Sequence, residues 1–119
     1  MWEVNITDEC ASWYRALTVE EQEPIRAAVS LLETRGPALG RPVVGQVDGS
    51  RLHNLKELRP LGTTIRILFV FDPRRQAILL VGADKAEHGW SAWYPGAIAD
   101  AERLYEEYVA DLKEKGLIE

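Results

Sequence analysis

Hydrophobic and polar residues alternate from Trp2 to Ile6, with Trp2, Val4 and Ile6 on one side and Glu3 and Asn5 on the other. A period of two predicts a half-buried strand. Thr7-Asp8-Glu9 then supplies a capping hydroxyl and first-turn acids, and Trp13 and Leu17 stand four apart. A short helix through Leu17 is expected. Thr18 followed by Glu21 has the form of a capping box. Ile25, Val29 and Leu32 recur at helical spacing up to Gly36-Pro37. Pro24 leaves two starts open: Thr18 as the cap with a kink at Pro24, or Pro24 as the first helical residue. Either start gives a helix over 25–34 that pairs with the first as a helical hairpin.

The stretch from Gly36 to Gly49 carries Gly36, Pro37, Gly40, Pro42, Gly45 and Gly49 and reads as a loop. It lacks the Lys-Ser/Thr ending and the glycine spacing of phosphate-cradling loops. Three strands are expected after it. In Leu52–Leu58 the leucines fall three apart, which fits a helical turn or a bulged strand. Thr64–Phe71 alternates strongly and is apolar on both faces, as a central strand should be. Asp72-Pro73-Arg74-Arg75 is a turn, and Gln76–Ala83 is the returning strand. After Pro95-Gly96, the residues Ile98, Ala101, Leu104, Tyr105, Tyr108, Val109 and Leu112 trace one face of an amphipathic helix to about Glu114, with Glu102, Glu106 and Glu107 toward water. The expected order is β-α-α-β-β-β-α: an α+β fold in one domain spanning 1–119, with a small, mostly antiparallel sheet against a helical hairpin and a C-terminal helix.

Composition narrows the function. The 119 residues are 46% hydrophobic and 28% charged, as in globular proteins. No stretch approaches the ~20 apolar residues of a membrane span, and the N-terminus has no secretory pattern. Cys10 is the single cysteine, so no internal disulfide exists and a reducing cytoplasm is the expected location. With His53 and His88 the only histidines, a metal site is poorly supplied, and no cofactor is expected. The net charge of −5 argues against a nucleic-acid partner. Its distribution qualifies that: Arg41 to Lys85 holds eight basic and four acidic residues, a +4 segment between acid-rich flanks.

Four stretches together carry a likeness. Leu55-Lys56-Glu57-Leu58-Arg59, Arg66 to Pro73 (RILFVFDP), Leu79 to Lys85 (LLVGADK) and Trp90-x-x-Trp93-Tyr94 closely resemble the phage-derived HigB-like toxins of the RelE/ParE superfamily. The similarity runs from about Arg35 to Tyr108. It implies a RelE-like fold and the toxin half of a type II toxin–antitoxin pair. Such toxins are typically metal-independent endonucleases of ribosome-bound mRNA. Their cognate antitoxin often carries a helix-turn-helix domain.

RNA cleavage without metal needs a base for the 2′-hydroxyl, cations for the charge growing on phosphorus oxygens, and an acid for the leaving 5′-oxygen. The resemblance places Arg66 at the centre of the active surface, as a phosphate-binding cation, and adds Lys85 after the last strand. Arg66 could equally pair with a carboxylate such as Glu57 and only order the sheet. Lys56 and Arg59 stand where related toxins contact the RNA backbone, or else are edge charges that discourage strand pairing. Tyr94 matches a tyrosine used for base stacking or acid–base work. Trp90 and Trp93 could share the stacking or simply pack in the core. His88, near Lys85, is the better-placed histidine for proton transfer. Two rivals use the same fold: a ParE-like inhibitor of DNA gyrase that acts by binding, and an antitoxin-binding module that has lost catalysis.

Overall fold

The computed structural model describes residues 1–89 and 91–119. Among them, β1 (Val4–Ile6), α1 (Asp8–Arg15), α2 (Val19–Arg35), β2 (Val44–Gln46), β3 (Lys56–Leu58), β4 (Ile65–Phe71), β5 (Ala77–Asp84), α3 (Lys85–His88) and α4 (Trp93–Glu114) follow in chain order. The strands form one sheet ordered β1-β5-β4-β3-β2. The β1–β5 pair is parallel and the others are antiparallel. The architecture is the α+β sandwich expected, with one strand more than the sequence pattern gave.

Strand parity divides the apolar residues between two cores. Leu58, Ile65, Ile67, Phe69, Ala77 and Leu79 pack with Cys10, Ile25, Ala28 and Leu32 of the α1–α2 hairpin. Leu55, Leu68, Val70, Ile78 and Leu80 pack with Trp93, Ala97, Ala101 and Leu104 of α4. The central β4–β5 pair is therefore apolar on both sides because both sides are covered.

Local chemistry fixes the element ends. The Thr18 capping box forms, with the Glu21 amide donating to Thr18 Oγ1 at 3.2 Å and the Thr18 amide donating to Glu21 Oε1 at 2.9 Å. Of the two starts left open, Thr18 is the cap, and Pro24 lies inside α2. Three expectations are corrected. The supposed loop 36–49 contains β2, a three-residue edge strand whose glycine and flanking prolines hid its pattern. Only Lys56–Leu58 of the segment Leu52–Leu58 is strand. The last helix begins at Trp93 rather than after Gly96, because a proline in the first helical turn removes only an amide that has no helical partner. That correction puts Tyr94 in the first turn of α4.

The β4–β5 turn is built around Asp72, which is buried. Its Oδ1 accepts from the Arg74 amide at 2.9 Å and the Gln76 amide at 3.0 Å, and its Oδ2 from the Tyr108 hydroxyl at 3.0 Å. One carboxylate thus shapes the hairpin and ties it to α4. Arg75 takes a positive φ of 64° there, and its guanidinium lies 5.0 Å over the Trp2 ring. Tyr108→Phe removes one donor from a buried charge. It should lower stability by about 1.5–3 kcal/mol, read as a fall in the urea midpoint with unchanged slope.

Candidate phosphodiester site on the α4 face

β3 is short, but its parity decides the site. Glu57 pairs with Leu68, and so faces α4; Lys56 pairs with Phe69, and so faces the helical hairpin. Glu57 is 2% exposed. A carboxylate so buried must be matched by cations and donors, and it is. Arg59 Nε donates to Glu57 Oε2 at 2.9 Å. Arg66 Nε lies 3.8 Å from Oε1, an ionic contact too long for a hydrogen bond. The Tyr94 hydroxyl donates to Oε1. Lys85 Nζ donates in turn to the Tyr94 oxygen at 3.1 Å and lies 5.3 Å from that ring's centre.

Each partner is brought in by its element. Arg66 shares the β4 face with Leu68, and its Nη1 donates to the carbonyls of Ile65 at 2.7 Å and Thr63 at 3.3 Å. Its Nε is a buried donor with no hydrogen-bond partner among the described residues. Lys85 opens α3 behind the Asp84 cap, which accepts from the Ala86 amide. Arg59 follows β3 and lies flat across Gly45 of β2. A Cβ built at Gly45 would stand 2.3 Å from Arg59 Nη2, so any side chain there would displace the guanidinium.

The buried carboxylate is thus met by Arg59, Arg66 and the Tyr94 hydroxyl, with Lys85 bonded behind the tyrosine; against these three cations stand Glu57 and Asp48, a net charge of +1. Glu57, Arg59 and Tyr94 line a cleft of about 250 Å³ together with Gln46, Val47, Asp48 and Ile98, and Arg66 and Lys85 lie behind that lining. Arg59, with its side chain 30% exposed, is the cation that faces the cleft; Arg66, at 14%, lies deeper. Burial, then the hydrogen bond and charge of Glu57, push the Tyr94 hydroxyl up to about 12. It is therefore a proton donor at neutral pH and not a base. Burial and then the Arg66 charge lower the Lys85 pKa, with Glu57 opposing. An ammonium so placed gives up its proton more readily than a surface lysine.

Arg66, Lys85, Tyr94 and Arg59 are brought together; Lys56, His88 and Trp93 are not. Lys56 is on the opposite face of the sheet. His88 is exposed at the end of α3, with no hydrogen bond or ion pair to the cluster among the described residues. Trp93 is 8% exposed within the α4-side core, edge-on to Tyr94 at 5.0 Å, and cannot stack on a base. Trp90 lies outside the described residues. The residue the sequence pattern undervalued is Glu57, which looks like an interruption between Lys56 and Arg59. The available signal was an acid within a short apolar strand. His53 is exposed in the turn before β3. Burial pushes the Cys10 thiol up to about 12, which leaves it unreactive. No group of three or more His, Cys, Asp or Glu among the described residues is placed to hold a metal ion, and no helix among them is long and apolar enough to cross a membrane.

The family of phage-derived Gp49-like proteins matches residues 12–106, which include the whole cluster. The chain is 52% identical over 98 residues to a candidate toxin, HigB3, of Mycobacterium tuberculosis, covering 82% of this chain and 85% of that protein. It is 40% identical over 116 residues to a second candidate toxin of that organism, HigB2, covering 95% of this chain but 57% of the relative's length. Among solved structures, the isolated E. coli RelE toxin aligns with a TM-score of 0.57 over 76% of this chain and 96% of its own, at 6% identity. A RelE mutant in the free state gives 0.57 over 76% and 92%, at 9% identity. At such identities the likeness concerns the fold, which is RelE-like.

The raised Tyr94 pKa has a stability consequence. A hydroxyl whose pKa is higher folded (about 12) than unfolded (about 10) contributes stability that is full below pH 10 and is lost as pH rises from there toward 12. Urea midpoints measured between pH 9 and 12 should fall for the native protein. Tyr94→Phe should flatten part of that fall, leaving a remainder from Tyr108, which is also pushed up to about 12.

Proposed function

The chain belongs to the phage-derived Gp49-like family and is a HigB-like toxin; on that premise we propose that it cleaves ribosome-bound mRNA at the Glu57 cluster. One observation carries this reading: Arg59 and the Tyr94 hydroxyl, both held on the buried Glu57, line an open cleft, with Arg66 and Lys85 behind them making the cluster net positive. A phosphodiester is the ligand that this surplus favours.

In the reaction the ribose 2′-oxygen bonds to the adjacent phosphorus and the bond from phosphorus to the 5′-oxygen breaks. The products are a 2′,3′-cyclic phosphate and a free 5′-hydroxyl. Glu57 takes the 2′-hydroxyl proton. Arg59, and Arg66 behind it, stabilise the phosphorane oxygens. The Tyr94 hydroxyl, which lines the cleft, gives its proton to the leaving oxygen and takes one from Lys85 behind it. The bonded chain Glu57–Tyr94–Lys85 then offers a path for the collected proton to return to Lys85 through the tyrosine hydroxyl, so that acid and base are both reset. Tyr94 acts as relay and donor, in keeping with its raised pKa. Arg59 is the freest of the cations to meet substrate, whereas the role of Arg66 includes holding Glu57.

A toxin of this type has a cognate antitoxin as its partner. We assign to that antitoxin a helix-turn-helix domain, on resemblance alone, and to the toxin a cytoplasmic site of action, where ribosomes are. Induction of the toxin without its antitoxin should arrest growth, and primer extension on cellular transcripts should show cuts within translated frames. Arg59→Ala should lower the cleavage rate by about 10²–10³ while the protein stays folded by circular dichroism, and Glu57→Gln should do at least as much. Arrest with intact messages and DNA damage would replace this reading with a ParE-like gyrase inhibitor. Absence of arrest would leave an antitoxin-binding module.

A further inference from the structure

The pattern of α4 sends Glu102 to solvent beside Glu106 and Glu107, but its side chain is only 13% exposed. It meets the segment joining β2 to β3. Glu102 Oε2 accepts from the Ser50 hydroxyl at 2.8 Å and from the Arg51 amide at 2.7 Å. Ser50 Oγ also accepts from the Leu52 amide at 3.0 Å, so one carboxylate organises a turn of three residues. The Arg51 guanidinium adds an ion pair to Glu106 and a looser contact to Glu102 at 3.9 Å. These donors hold the Glu102 carboxyl below the usual carboxylate range, the Arg51 amide contributing most.

This segment belongs to the cleft. Val47 and Asp48, which precede the pinned turn, form one wall, and Ile98 and Tyr94, on the α4 face that also carries Glu102, form the other. The segment's own internal hold is slight: the Val47 amide to the Leu55 carbonyl at 3.1 Å, and the Leu55 amide to the Leu52 carbonyl at 3.3 Å. It also joins the strand bearing Gly45, under Arg59, to the strand bearing Glu57. A shift of the segment would therefore alter the cleft wall and the setting of both groups.

We propose that Glu102 is a positioning residue that fixes the width of the RNA cleft by pinning the 50–52 turn to α4, without touching substrate. The RNA part of this inference rests on the function proposed above; the pinning does not. Both hydrogen bonds end on a single oxygen. A glutamine, which keeps one carbonyl oxygen, can accept both, whereas an alanine accepts neither.

The test compares Glu102→Ala with Glu102→Gln in the full chain. Amide hydrogen exchange should show Arg51 protected in the native protein and in the Gln variant, and exchanging freely in the Ala variant. Cleavage of mRNA on programmed ribosomes should show KM raised about tenfold for Ala, a loss of about 1.4 kcal/mol in substrate binding. Its kcat should change less than about twofold, and Gln should restore KM. A released Arg51 amide with unchanged KM overturns the proposal, as does an amide that stays protected in the Ala variant. If the native protein cuts no mRNA, the cleavage reading fails on its own. Binding of a single-stranded RNA oligonucleotide then decides: about tenfold weaker binding to Ala than to Gln supports the positioning role, and equal binding, or none to any form, overturns it.

Discussion

A carboxylate removed from water must be compensated where it stands, and in this protein that requirement falls on Glu57. Its position on the α4 side of β3 recruits Arg59 from the same strand's extension, Arg66 from β4 and Tyr94 from the first turn of α4; Lys85, from the start of α3, joins through the tyrosine hydroxyl. Four elements converge because one buried charge needs them. The pairing also overshoots, since three cations stand against Glu57 and Asp48. A structural ion pair would be neutral; this cluster is net positive behind an open cleft, and the proposed function rests on that excess.

The two-core architecture serves the same end. The hairpin of α1 and α2 closes one side of the sheet with apolar contacts. The α4 helix covers only part of the other, so a cleft reaching Arg59 and the edge of Glu57 stays open between Tyr94 and Ile98 of α4 and the segment before the 50–52 turn. At the far end of the same face, Asp72 and Tyr108 lock the β4–β5 hairpin to the helix. Helix placement is thereby fixed at one end by Asp72–Tyr108 and in the middle by Glu102 with Ser50 and Arg51. At the other end stands Tyr94, whose hydroxyl bridges Glu57 and Lys85.

Much of this was legible in the sequence. The alternation of Ile65, Ile67, Phe69 and Phe71 against Arg66, Leu68 and Val70 gave β4 and its face, and so gave Arg66 its side. The α4 stripe was equally plain. What stayed hidden was parity in short elements. With three residues in β3, nothing local tells whether Lys56 or Glu57 faces the site; the pairing with β4 decides, and it is a long-range contact. The strand Val44–Gln46 was masked by Gly45, whose missing side chain leaves room for the Arg59 guanidinium rather than serving a turn. For Trp93 the sequence leaves stacking and packing open, because a tryptophan beside Tyr94 looks the same on paper in either case; the fold packs it in the α4-side core. Glu102 looked solvated because helical periodicity gives a face and says nothing of which loop folds over it.

The central claim is that the surplus charge around Glu57 binds a phosphate group, and a titration with inorganic phosphate followed at the arginine Nε–H resonances tests it most directly. Saturable shifts of Arg59 and Arg66, accompanied by loss of the Arg59 hydrogen bond to Glu57, are the expected result. Phosphate that leaves these two resonances unmoved while shifting the exposed Arg41, Arg74 or Arg103 would contradict the account.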